Sequence, residues 1–275
     1  MRKETEDERL ARIKLEMFGK ITEAKAHRDI VYCNILIYGQ TGAGKSWLAA
    51  TAPRPLVLLT EANGHASVAH SNPDALVVPV RTMDEMDVVL RSIHTGEMQK
   101  AHRFETLVID SMTELQRLLM VKILARANRT KMQLADWGDL ANEMVRYIRA
   151  IRDLPCHVVC TALQDSYVDD DSGKRFVQPS FQGKKTVSVI SQFFNAVGLL
   201  YKRQGEGAIS ERLIMWDGPE WVMCKPCHPL AGVHEQPEMS DIVHSISTVK
   251  PKAKRKKRAP SPKPVEEGAG QLTVL

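Results

Sequence analysis

The chain has 275 residues, 43% of them hydrophobic, and a formal net charge of +5. This composition can fill a sizeable core and excludes a wholly disordered chain, and no apolar run approaches the length of a membrane-spanning helix. Five cysteines without an apolar N-terminal signal stretch favour reduced thiols over a disulfide framework. We therefore expect a cytoplasmic protein that has no membrane partner.

The first predicted element is a helical segment over residues 1–28. Leu10, Ile13, Met17 and Ile21 recur at helical spacing among charged residues of both signs. Such an apolar stripe packs either on the rest of the chain or on a neighbouring subunit, and the spacing leaves both open.

Residues 39–46 read GQTGAGKS, a complete G-x-x-x-x-G-K-[ST] phosphate-binding loop, or P-loop, between a predicted strand (30–38) and a helix. Its glycines let the backbone approach a phosphate closely, and its N–H groups form an anion nest. In this motif Lys45 reaches the outer phosphates and Ser46 ligates Mg²⁺, so both residues are predicted to act in the reaction. The pattern predicts binding of ATP and Mg²⁺ and leaves the choice between ATP and GTP open. The predicted nucleotide-binding residues are Gly39, Gln40, Thr41, Gly42, Ala43, Gly44, Lys45, Ser46 and Trp47.

Short apolar runs then alternate with segments of helical spacing. This alternation predicts an α/β fold in which a mostly parallel sheet is flanked by helices. Pro79 favours an edge position for its strand. The predicted strands cover residues 55–60, 75–80, 104–109, 156–163, 196–201 and 213–216, and the predicted helices cover 83–93, 112–127, 137–154 and 187–194.

Two carboxylates follow predicted strands. Asp110 ends an apolar strand in the Walker B pattern and is predicted to hold Mg²⁺ through water, together with Ser46. Glu61 follows residues 55–60 at the carboxyl edge of the sheet, where it is the candidate catalytic base or else an exposed carboxylate. Glu105 and Glu114 are weaker candidates because one precedes its strand and the other lies inside a helix.

Gln164 follows the strand predicted over 156–163. From there its amide is suited to sensing the γ-phosphate and passing the signal to the next loop, although a polar strand end has the same appearance. We include Gln164 among the catalytic candidates.

Residues 165–183 are predicted to be a loop or hairpin in which cations alternate with aromatic rings. This mixture suits single-stranded nucleic acid, whereas Asp169, Asp170 and Asp171 oppose it and an ordinary surface hairpin is the alternative. A second alternative makes Lys184 and Lys185 a finger for a neighbouring subunit's nucleotide. The candidate residues here are Lys174, Arg175, Phe176, Lys184 and Lys185, with Gln178 and Phe181 in the same stretch.

Residues 224–228 read CKPCH, which matches half of a zinc site and a haem-attachment pattern. The sequence has no second Cys pair to complete a zinc centre. Structural or incidental thiols are therefore favoured for Cys224 and Cys227.

The chain ends in a basic segment. Residues 250–275 hold eight basic and two acidic residues, a net of +6, which leaves −1 for the rest of the chain. Lys- and Pro-rich composition without aromatics predicts a disordered tail, placed at residues 236–275 after a core of 29–235. Its basic run is suited to nucleic-acid phosphates, although a merely solvated tail has the same composition. That run is Lys254, Arg255, Lys256, Lys257 and Arg258.

Together these segments resemble the RecA-type ATPase core, and more closely the phage-encoded P-loop single-strand annealing proteins. The resemblance covers about residues 34–221; its P-loop is specific and its later motifs are loose. It rests on residues 35–39, 60–61, 108–111, 153–159, 164, 179–184 and 193–194.

The resemblance implies a RecA-like, Mg²⁺-dependent ATPase, stimulated by DNA, that anneals single-stranded DNA in phage recombination inside the bacterial host. It implies phosphate and Mg²⁺ binding by Lys45 and Ser46, metal support by Asp110, a catalytic Glu61 and a coupling Gln164. It further implies a homo-oligomeric ring or filament and a single-strand-binding protein as partner. A replication-associated loader or motor with a protein partner, and a nucleotide-gated DNA-binding module with little turnover, remain alternatives.

Overall fold

The structure is a computed structural model that describes residues 4–20, 32–61, 64–170, 172–204 and 210–247. The helices are α1 (Glu6–Gly19), α2 (Lys45–Ala50), α3 (His65–Ser71), α4 (Met83–His94), α5 (Glu97–His102), α6 (Met112–Arg126), α7 (Leu134–Arg152), α8 (Lys184–Ser191) and α9 (Met239–Ser247). The strands are β1 (Asn34–Gly39), β2 (Pro55–Leu59), β3 (Leu76–Pro79), β4 (Thr106–Asp110), β5 (His157–Val168), β6 (Arg175–Pro179), β7 (Ala196–Gln204), β8 (Ser210–Met215) and β9 (Val233–Glu235).

The strands form one sheet in the order β3-β2-β4-β5-β1-β7-β8-β9, with β6 paired to β5 alone. Six strands, namely β3, β2, β4, β5, β1 and β7, are mutually parallel. Strands β8 and β9 extend the sheet with antiparallel pairs. This confirms the predicted α/β architecture with a mostly parallel sheet. Pro79 lies on the edge strand β3, as predicted, where its missing N–H costs no ladder hydrogen bond.

Both faces of the sheet are covered, and β1 illustrates how. Ile35 and Ile37 lie in the hydrophobic cluster that includes α2 and α9, whereas Leu36 and Tyr38 lie in the cluster that includes α4, α6 and α7. All four residues are fully buried. A strand buried on both faces reads as a continuous apolar run, which explains why these strands were recognisable from sequence.

Helix α1 begins at a capping box in which Thr5 and Glu8 exchange hydrogen bonds. None of its residues is buried, and Leu10 and Met17 are both more than half exposed. Of the two predicted alternatives, packing of the stripe on the described part of this chain is therefore not observed. Ile21, the last residue of the predicted stripe, lies outside the described residues.

The boundary predicted at residue 236 is wrong, because residues 239–247 belong to the folded core. Helix α9 buries Met239, Ile242, Val243 and Ile246, and the backbone N–H of Met239 donates to Thr51 Oγ1 over 2.8 Å. The sequence prediction missed this helix because it is short and directly precedes the polar tail. Residues 248–275, with the whole basic run, lie outside the described residues.

Residues 165–183 contain a β-hairpin, one of the two forms predicted for them. Strand β5 continues to Val168 and pairs antiparallel with β6. The prediction ended this strand at residue 163, too early, because the rest of β5 is polar and has no strand-like apolar pattern.

Candidate nucleotide site

The P-loop connects β1 to α2. Gly44 has φ +100°, a left-handed conformation that favours glycine. Gly39 has no room for a side chain, because a Cβ there would overlap the backbone oxygen of Leu200 on β7. The Lys45 ammonium donates to the carbonyl oxygens of Gly39, over 3.0 Å, and Gln40, over 2.9 Å. These two hydrogen bonds fold the Lys45 side chain back onto the start of the loop.

The two predicted carboxylates lie at the ends of adjacent strands. Strands β2 and β4 pair in a register that places Leu59 beside Asp110, and Glu61 follows two residues later. Ser111 Oγ donates to Glu61 Oε1 over 2.7 Å, which ties the Glu61 side chain to the end of β4. The structure therefore brings Glu61 and Asp110 together although 49 positions separate them in the sequence.

Asp110 is buried and has two hydroxyl groups beside its carboxylate. Thr161 on β5 donates to it, and the Ser46 hydroxyl of the P-loop is near enough to lower its pKa. Burial raises the pKa of Asp110, and the hydrogen bonds from Ser46 and Thr161 oppose that rise. The predicted Mg²⁺ ligands Ser46 and Asp110 are thus in contact, and a hydroxyl beside a carboxylate is the hard oxygen donor set that Mg²⁺ prefers.

Lys45 shows the opposite shift for the same reason. Burial lowers the pKa of its ammonium, while the charges of Asp110 and Glu61 raise it less strongly. Phosphate oxygens at the loop would favour the charged lysine and offset its loss of water. The arrangement is therefore suited to an anionic ligand.

These groups line one cleft of about 1000 Å³. It contains Glu114, which pairs with Arg117 over 2.9 Å, so this carboxylate is a closer competitor to Glu61 than its helical position indicated. Glu105 pairs with Arg54 at the opposite end of β4 and does not line the cleft. Sequence reasoning missed three arginines of this cleft, because none belongs to a motif of fixed spacing: Arg81, Arg117 and Arg212.

Gln164 is placed differently from the prediction. It lies within β5, opposite Pro179 of β6, and not after the end of a strand. Leu163 lines the nucleotide cleft, whereas Gln164 lines a second cleft of about 590 Å³, and the two clefts have Thr41 and Gly42 of the P-loop in common. Successive residues of a strand face opposite sides, which explains the separation. Its proposed sensing role stays a prediction.

The hairpin presents part of the predicted cation and aromatic set. Lys174 and Arg175 are exposed, and the half-buried Phe176 stacks on Tyr167 with ring centroids 5.3 Å apart and 12° between planes. Tyr167, which is 45% exposed, was missed by sequence reasoning. Phe181 is buried and is not available on the surface. Lys184 and Lys185 begin α8, but their side chains lie outside the described part, as do Lys254, Arg255, Lys256, Lys257 and Arg258.

The cysteines are free thiols. Cys33, Cys156 and Cys160 are buried, and Cys224 Sγ donates to the Met215 carbonyl oxygen over 3.3 Å. Within the described ranges, no group of three or more His, Cys, Asp or Glu side chains could hold a metal ion. In those same ranges no helix has the length and apolar character needed to cross a membrane.

Comparison with known families bears on this site directly. The family model described as AAA domain matches residues 32–225, which include the P-loop, Glu61 and Asp110. The chain belongs to the AAA domain family. This AAA domain protein is therefore a P-loop ATPase with an α/β fold.

The AAA domain protein is also similar to a solved structure, a KaiC-like protein from the hyperthermophilic archaeon Pyrococcus horikoshii OT3. The two sequences are 14% identical, and the match covers 66% of this chain and 78% of the other with a TM-score of 0.38. No curated protein shows a significant match to the sequence.

Proposed function

We propose that this AAA domain protein binds ATP with Mg²⁺, hydrolyses it, and uses the cycle to change its grip on single-stranded DNA during strand annealing in recombination. One observation carries the nucleotide part. Lys45 of the P-loop, Asp110 at the end of β4 and Glu61 beyond β2 line the same cleft, and the charges of both carboxylates act on Lys45.

Each group has a distinct role in this proposal. The backbone N–H groups of the P-loop and the Lys45 ammonium bind the phosphates. Ser46 and Asp110 hold Mg²⁺, which neutralises charge on the transferred phosphoryl group. Glu61 orients and deprotonates the attacking water, and its hydrogen bond from Ser111 fixes the carboxylate for that purpose.

Three features support the DNA part of the proposal. The hairpin offers exposed Lys174 and Arg175 beside the stacked Tyr167 and Phe176 rings, a combination that suits phosphates and bases. The basic run at residues 254–258 adds five cations in sequence. Asp169 and Asp170 oppose DNA at the hairpin turn, so the cations and rings at its flanks are the proposed contact.

The exposed stripe of α1 supports the proposed oligomer. Leu10, Met17 and Phe18 are each more than half exposed, and apolar side chains that lie close together on one exposed helix are typical of an interaction surface. In this proposal a second copy covers them in a ring or filament, and a single-strand-binding protein acts beside the assembly.

The same stripe favours one other candidate function, a replication-associated loader or motor ATPase whose partner is a different protein. That candidate predicts turnover that responds to the partner rather than to DNA. In contrast, a nucleotide-gated DNA-binding module predicts ATP binding with no turnover.

The deciding experiment measures ATP turnover with and without single-stranded DNA, together with annealing of complementary oligonucleotides. The proposal expects DNA-stimulated hydrolysis and annealing, both lost in Lys45→Ala. Combining Lys174→Ala with Arg175→Ala should weaken DNA binding. Arg91→Ala with Lys100→Ala, which removes two exposed cations from α4 and α5, is the control and should not. Turnover that DNA leaves unchanged would contradict the DNA part and retain the ATPase part.

A further inference from the structure

Arg212 of β8 lies directly against the P-loop. Its guanidinium carbon is 4.7 Å from the centroid of the Trp47 ring, which belongs to the first turn of α2. Its Nε atom is 2.6 Å from the position that a Cβ at Gly44 would take. The P-loop glycine thus makes room for an arginine that arrives from 168 positions away in the sequence.

This arginine has no anionic partner in the described part of the protein. Its Nε is buried without a hydrogen-bond partner, and no ion pair joins Arg212 to a described carboxylate. Arg203 on the adjacent strand β7 is the contrast, because it pairs with both Glu211 and Glu235. Arg212 is half-buried, and burying its Nε without a partner is costly, so its position indicates a ligand that supplies an acceptor.

The sheet order indicates which end of the nucleotide Arg212 meets. Asp110 ends β4 and Glu61 follows β2, and both strands lie on one side of β1, whereas Arg212 is on β8, on the other side. The catalytic carboxylates must face the γ-phosphate and Mg²⁺. An extended nucleotide that directs its γ-phosphate toward β4 directs its nucleoside toward β8.

We propose that Arg212, stacked on Trp47, contacts the nucleoside end of the bound nucleotide and contributes to the choice of nucleotide. A guanidinium is planar and carries only donors, so it can stack on a purine and donate to ring nitrogens or ribose oxygens. The inference rests on nucleotide binding in the proposed function and is independent of DNA.

The test compares ATP with inorganic tripolyphosphate, which has the phosphates without the nucleoside. Equilibrium binding of each ligand with Mg²⁺ is measured for wild type, Arg212→Ala and Arg203→Ala, which removes the same charge from the neighbouring strand. Arg212→Ala loses a charged hydrogen bond and a stacking contact, so its affinity for ATP should fall about tenfold. Its affinity for tripolyphosphate should change less than about twofold. Arg203→Ala should bind both ligands like wild type.

Arg212→Lys serves as the second variant if the alanine variant does not fold, since it retains the charge and loses the planar group. It should lose ATP affinity while binding tripolyphosphate normally. Equal losses of affinity for both ligands would assign Arg212 to the phosphates and overturn the inference. Unchanged ATP affinity would also overturn it and would leave Arg212 only a packing role beside Trp47. If wild type binds neither ligand, the proposed nucleotide function fails as well, a result distinct from either of these.

Discussion

Thr60 and Ser111 are joined by a pair of hydrogen bonds. Thr60 Oγ1 donates to the Ser111 carbonyl oxygen over 3.0 Å and accepts from the Ser111 backbone N–H over 2.8 Å. Both residues are buried, and they adjoin the two carboxylates, Glu61 and Asp110. This hydroxyl therefore adds to the β2–β4 backbone pairing in fixing the spacing between the proposed base and the proposed metal ligand.

Thr60→Val keeps the side-chain shape and removes this hydroxyl. It leaves the Ser111 N–H buried without a partner, which should cost about 1–3 kcal/mol in the free energy of unfolding. We expect a lower kcat for ATP hydrolysis and a KM changed much less, because the P-loop itself is intact. Thr60→Ser retains the hydroxyl and is the control. Equal kcat values in wild type and Thr60→Val would contradict the positioning role.

Glu61→Gln should retain ATP binding and lower turnover by about 10²–10⁴-fold, because an amide cannot accept the proton of the attacking water. The measurements are equilibrium nucleotide binding and steady-state hydrolysis. Glu114→Gln is the matched control, since Glu114 lines the same cleft. A larger loss in Glu114→Gln than in Glu61→Gln would transfer the role of base to Glu114.

A chain cut after Val249 should bind single-stranded DNA more weakly and with a shallower dependence on salt. Each cation that contacts a phosphate releases counterions and adds to the slope of log affinity against log salt concentration. The cut retains α9, so the measured change reports the tail and not the loss of a core helix. A slope identical to that of the full chain would exclude the basic run from DNA binding.

The stability of the protein should fall below neutral pH through His157. Burial lowers the pKa of this imidazole, opposed by the charge of Glu105, and its Nδ1 accepts from the Cys33 backbone N–H over 3.2 Å. Because the unfolded chain binds the proton more tightly, this contribution is complete above the unfolded pKa of about 6.5 and is lost as the pH falls below it. Urea unfolding at pH 7.5 and 5.5 should show a larger loss for wild type than for His157→Gln. Equal losses of unfolding free energy in the two proteins would contradict the role of His157.

The parts of the site that could be predicted from sequence have fixed residue types at fixed spacings. The P-loop requires its glycines, Lys45 and Ser46 in one short run, and Asp110 ends an apolar strand that is buried on both faces. By contrast, Arg212 reaches the P-loop only because β8 joins the sheet beyond β7. No local pattern in the sequence encodes that neighbour.

The missed elements also have physical causes. Helix α9 is short, and its four apolar side chains are buried because the helix packs on α2. Residues 164–168 lack an apolar run because β6 stabilises them through backbone pairing on one side. Tertiary contacts, which a single sequence does not reveal, decided both cases.

Strand β5 is held unequally along its length. Residues 158–163 pair with β1, residues 157–160 pair also with β4, and residues 164–168 pair with β6 alone. Amide protons of the inner residues should exchange with solvent only when the whole domain opens, while those beyond Gln164 exchange through local fraying. A single strand thus joins a rigid base under the phosphates to a compliant tip, which lets the hairpin adapt to what it touches while the catalytic edge keeps its shape.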